Sequence, residues 1–251
     1  MSIPAFTAPY PASWFNRYLD WVDRLPIPVW LYYIFLYLLG VLFLQIPTWL
    51  GGDTPYGQFT LERVIGGFWI VFESGTIHYL DKVGKAQMEK FRPLLKSDDS
   101  FEDLHYRIHR MPARPIFIIT ALLGAVILLT AFLDPTSYGP EGSSPMVIVA
   151  TAIILFIEYT TSPVYLYHAI HQLGVVRKAY ALSGEISIFN LGGLRSLSVI
   201  SARTGSALFL LFVLNYVQNI FFGEQRDFDR RHARGYSIYD HCDHGFCVSA
   251  T

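Results

Sequence analysis

Long runs of apolar residues alternate along this chain with short polar segments, and the runs are too long for the core helices of a water-soluble domain. From Ile27 to Leu50 there are 24 residues without a charge, enough for about 36 Å of helix at about 1.5 Å per residue. Pro26 and Pro28 suit the start of such a helix, where a missing amide costs nothing. Trp30, Tyr32 and Tyr33 at one end and Trp49 at the other match the aromatic belts of membrane interfaces. A third run, Pro115 to Leu133, is equally apolar. Two prolines in Met111-Pro112-Ala113-Arg114-Pro115 separate it from what precedes, and Asp134-Pro135 closes it.

Three further segments carry polar residues inside an apolar frame. The stretch from Val64 to Leu80 includes Glu73 and His78, with Gly66-Gly67 allowing close approach of a neighbour. Pro145 to Ile170 includes Glu158 and His168, and Ala207 to Phe222 includes Asn215, Gln218 and Asn219. Taken together the pattern predicts an all-α polytopic transmembrane bundle of about five spans, at 27–50, 64–80, 115–133, 145–170 and 207–222. Residues 1–26 form an N-terminal segment. The polar stretch 81–114 reads as amphipathic helices broken at Pro93 and at Lys96-Ser97-Asp98-Asp99-Ser100, and 171–203 reads as mixed, with breaks at Gly184, Gly192 and Gly193. Residues 223–251, with four arginines, three histidines and both cysteines, read as a disordered polar tail.

Composition agrees with this reading. The 251 residues are 52% hydrophobic and 16% charged, well below the charge of about 25% in soluble domains, and the mean hydropathy is +0.34. The net charge of −1 gives no basis for nucleic-acid binding, and the partner it implies is the lipid bilayer. Asp20, Asp23, Arg17 and Arg24 make the first 26 residues unlike a cleavable signal peptide, so the first span is expected as an uncleaved anchor.

The distribution of cations orients the bundle. Lys and Arg number eight in 81–114, none in 51–62, none in 134–144 and four in 171–203. Cations keep to the cytoplasmic side, which places the N-terminus and the first and last of these loops inside, in an inner (plasma) membrane.

Local phrases resemble an uncharacterised family of multi-pass prokaryotic membrane proteins. They are Phe91-Arg92-Pro93, Leu104 leading into Met111-Pro112-Ala113-Arg114-Pro115, Ile188-Phe189-Asn190-Leu191, and Leu197 through Ser201-Ala202-Arg203-Thr204. The resemblance covers roughly residues 60 to 215. It implies the multi-pass architecture and no activity, and the tail departs from it, since members continue with more apolar sequence.

Two constellations could carry chemistry. An ionised carboxylate within a span costs several kcal/mol unless paired or hydrated, so Glu73 and Glu158 are candidate functional groups. Glu158, Thr161, Ser162 and Tyr165 share one helical face, and Glu62, Gly66, Glu73 and Thr76 line another, so two such faces could form a proton or cation path. The competing reading makes both carboxylates structural. The second constellation is a candidate metal site on the cytoplasmic side: His105 and His109 four apart, His168 and His171 three apart, and Glu102 three before His105. Two pairs sharing one metal would need their ring nitrogens within roughly 3–4 Å of each other. The cluster His241 to Cys247 has four metal-capable side chains in seven residues but is too short a loop to close a tetrahedron. No phosphate-binding loop, nucleophile elbow or zinc-protease helix is present, and the sequence names no cofactor. Transport, channel or scaffold function is therefore expected, with a membrane metalloenzyme as the alternative. Five short spans leave little room for an autonomous pathway, so a homo-oligomer or a membrane subunit or sensor with a partner is a third reading.

Overall fold

The computed structural model describes residues 7–95, 97–134, 138, 143–183 and 191–240, and these form seven α-helices with no strand among the described residues. They are α1 (Trp14–Asp23), α2 (Val29–Gly51), α3 (Leu61–Phe91), α4 (Asp98–His109), α5 (Ala113–Leu133), α6 (Pro145–Leu182) and α7 (Leu191–Asp240). The chain divides into two compact units, Met1–Gly205 and Ser206–Thr251. The protein is an all-α membrane protein: α2, α5, α6 and the Gly192–Ile220 part of α7 are each long and apolar enough to cross a bilayer.

Local chemistry sets the helix ends. Ser13 caps α1 by accepting the Asn16 amide, and Ser97 caps α4 by accepting that of Ser100, ahead of Asp98 and Asp99 in the first turn. Pro28 and Pro112 stand at the N-caps of α2 and α5 in extended conformation. Gly52 ends α2 with φ of +78°, in the left-handed region where glycine has no Cβ to clash.

In the first unit α6 packs against α2, α3, α4 and α5, and α3 packs against α2, α4 and α6. Its crossing with α2 is close, since a Cβ on Gly67 would lie 2.9 Å from the Val41 backbone nitrogen. The side chain of Ser162 on α6 donates to Glu73 on α3, and Gln172 ten residues on donates to the Leu80 carbonyl seven residues on. The two helices therefore run parallel along this seam.

The outer surface of α5 is apolar and uncovered. Phe117, Leu122, Leu128 and Phe132 are all strongly exposed, Phe132 at 83%, as side chains in contact with hydrocarbon would be. A separate core joins the C-terminal turns of α3 and α6 to α4 and the start of α7: Met88, Phe91, Leu104, Ile108, Val176, Leu197 and Ile200 are all buried in it. The N-terminal segment is strapped to the α4–α5 turn. Ser13 donates its amide to the Met111 carbonyl, Ala113 to Pro11, and Asn16 bridges His109 O and the Met111 amide.

Several boundaries move from those expected. Helix α3 continues to Phe91, then a 3₁₀ turn at Arg92–Leu94 carries the expected break at Pro93. Helix α6 runs on to Leu182, well beyond Ile170, because Val175, Val176 and Ala179 have this second core to pack on. Gly192 and Gly193 sit inside α7 instead of breaking the chain, and a Cβ on Gly193 would meet the Leu94 side chain at 2.4 Å. Gly184 and the motif Ile188-Phe189-Asn190 lie outside the described residues. In the second unit α7 is helical to Asp240, so the expected tail begins as helix; the cluster His241 to Cys247 lies outside the described residues. Helix α3 is not among those apolar enough to cross a bilayer on composition alone.

Candidate functional site

The α3–α6 seam gathers the buried polar groups. A helix face repeats at intervals of three or four residues, so Glu158, Ser162, Tyr165, His168 and Gln172 form one line along α6, over a rise of about 21 Å. Glu73 meets this line from α3 and is 1% exposed. Its Oε1 accepts from the Ser162 hydroxyl, and its Oε2 has no partner among the described residues. Glu158 is only partly buried and stands one turn before Ser162 on α6. The two sequence-predicted carboxylates therefore lie on packed helices, Glu158 one turn from the residue that holds Glu73.

Farther along the seam the pattern of unpartnered groups repeats. Tyr165 and His168 are each 1% exposed. The Tyr165 hydroxyl and both His168 ring nitrogens have no hydrogen-bond partner among the described residues. Asp81 on α3 forms an ion pair with Lys85 at 3.0 Å through Oδ2, while its Oδ1 is buried without one. Gln172 closes the row with every capacity in use: Nε2 donates to Leu80 O at 2.9 Å and Ile108 O at 3.3 Å, and Oε1 accepts from Thr204 at 3.0 Å. Buried polar groups are ordinarily satisfied, and an orphaned one costs about 1–3 kcal/mol. Four side chains with such atoms along one helix pair are a concentration, and each can bind or pass a proton.

The other predicted ligands go to separate partners. His105 Nε2 points to Glu89 Oε1 at 3.4 Å, and its ring stacks on Phe101. His109 Nδ1 contacts the His105 carbonyl at 2.6 Å and so carries the proton there; burial and then nearby Lys85 hold its pKa down at about 3. His171 Nε2 lies 3.0 Å from the Arg107 carbonyl and 3.2 Å from the Tyr10 hydroxyl. Glu102 is exposed on the outer face of α4. Among the described residues no group of three or more His, Cys, Asp or Glu is placed to hold a metal.

One polar chain had no signal in the sequence. Tyr33 on α2 contacts His78 Nδ1 at 3.1 Å, His78 Nε2 contacts Asp23 on α1 at 3.1 Å, and Lys82 reaches the same Asp23 oxygen at 2.9 Å. Partial burial opposes ionisation of Asp23, but the Lys82 hydrogen bond and the His78 contact prevail and hold its carboxyl below the usual range. Its members lie 10 and 45 residues apart on three helices, so no local motif marks it.

Comparison with protein-family models, curated proteins and solved structures returns no match.

Proposed function

We propose that this is a prokaryotic inner-membrane protein, with its N-terminus in the cytoplasm, that passes protons along the α3–α6 seam. The observation that carries the reading is Glu73, buried, with one oxygen held by Ser162 and the other unpartnered, in line with the unpartnered Tyr165 hydroxyl and His168 imidazole. Carboxyl, phenol and imidazole each take and release a proton, and ionisable groups in this setting typically mark proton relays. Hard metal cations instead require six or more oxygen ligands about one point, and a row of single groups suits the proton better.

The reading takes α3 as an inner span. Its sides toward lipid are shielded by α2 and α6, so it needs less apolar surface than they do, and its parallel run with α6 matches two spans that cross in the same direction. The cation distribution supports the orientation.

The test is proton flux. Protein reconstituted in vesicles with a trapped pH indicator should acidify the lumen when a potassium diffusion potential, negative inside, is imposed. Glu73→Gln and Glu158→Gln should insert and fold normally, because amide and carboxyl match in shape, and should lose the flux. Flux no faster than in protein-free vesicles, or undiminished in both variants, would leave the carboxylates structural.

A further inference from the structure

Apart from the seam, the first unit contains a cavity of about 520 Å³ between α1, α2, α3 and α6. Its wall is almost wholly apolar. The hydroxyls in it from Ser74, Thr160 and Thr161 all turn back to carbonyls of their own helices, so they make no demand on an occupant. Such a cavity offers water too few partners to be stable there. At one end stand Trp14, Tyr18 and Tyr32, with the two tyrosine hydroxyls 3.2 Å apart. Tyr18 is engaged by Ser74 as well, so it is Tyr32 that keeps a hydroxyl proton to donate.

Position identifies the occupant. The cavity follows α2 from Tyr32 to Phe43, eleven residues and so a rise of about 16 Å. That is close to half of a hydrocarbon core about 30 Å thick, the depth of one leaflet. The polar end lies beside α1, whose Trp14 and Trp21 are exposed together with Trp30 at the start of α2, in the manner of side chains at headgroup level. We propose that the cavity binds one acyl chain of a bilayer phospholipid from the leaflet on the α1 side, with its ester carbonyl accepting from the Tyr18–Tyr32 pair. Volume, depth, dryness and a single donor at the interfacial end all match that ligand. The site is independent of the proton path, and either can fail alone.

The test uses the full chain reconstituted in phosphatidylcholine vesicles carrying a photoreactive diazirine near the middle of one acyl chain. After illumination, mass spectrometry should find adducts on Ile70, inside the cavity, as well as on Leu122 and Leu129 of the exposed α5 face. Ile157→Trp fills the cavity from α6 and Leu39→Trp fills it from α2; each should abolish the adduct at Ile70 and leave those on α5, which also reports that the variant is folded in the bilayer. Tyr32→Phe should lower the phospholipid retained through detergent exchange. An unlabelled Ile70 in the wild type, an adduct at Ile70 that survives both tryptophans, or protein–protein cross-links showing a second copy seated over the cavity would each overturn the assignment.

Discussion

Asp23 shows how much one side chain holds in place. From α1 it reaches both His78 and Lys82 on α3, and its carboxyl is ionised to lower pH in the folded protein than in an unfolded chain. A carboxylate with a lowered folded-state pKa contributes stability above its unfolded value, near 3.9, and loses it as pH falls through the folded value. The carboxyl is more than one-third exposed, so solvent screening keeps the contribution small. Protection factors of the α1 amides, taken against the intrinsic exchange rate at each pH, should therefore fall modestly as pH drops below about 4. Asp23→Asn should show that modest loss of α1 protection already at pH 7 and no further loss on acidification through this range. Equal α1 protection in both proteins at pH 7 would mean that Ser13, Asn16 and the buried Phe15, Leu19 and Val22 hold the helix by themselves.

At the scale of elements, the packing of α3 on α2 and α6 is the feature to perturb. Helix α2 can come close to α3 because Gly67 lacks a side chain. Gly67→Leu would drive a Cβ to within 2.9 Å of the Val41 nitrogen, which belongs to backbone and cannot yield as a side chain can. Overpacking of this kind costs about 1–3 kcal/mol or more. The variant should lose much of its monodisperse peak in size-exclusion chromatography and unfold at lower temperature, whereas Gly174→Ala, with nothing near its added Cβ, should behave as wild type.

For the molecule as a whole, orientation is the property to measure. Eight cations in 81–114 against none in 134–144 predict that a reporter fused after Ser97 is cytoplasmic and one after Gly139 external. A cytoplasmic reporter at Gly139 would refute the orientation and with it the reading of α3 as a span. The core formed by α4 and the ends of α3 and α6 gathers on one side the segments that carry most of the loop cations. The strap from Tyr10 to Asn16 is tied to that side by Tyr10 to Arg110 and Asn16 to His109.

The membrane character, the approximate ends of α2 and α5 and the start of α6 were legible from hydropathy alone, because hydrocarbon admits only long runs of apolar helix and prolines mark their ends. The break at Pro93 and the one around Ser97 were legible for the same local reason, while the role of Ser97 as a helix cap came only from the structure. Glu73, Glu158 and the shared face of Ser162 and Tyr165 could be read from spacing on single helices. The meeting of Glu73 with Ser162, 89 residues apart, could not, since it depends on which helices pack and in what register. The same holds for Tyr33–His78–Asp23. Histidine spacing was legible too, but spacing does not say where a ring points: the tertiary structure gave His105 to Glu89 and His171 to Arg107 and Tyr10, and left the nitrogens of His168 alone without a partner among the described residues. Periodicity along a chain determines which face a residue takes, and only packing between helices decides what that face meets.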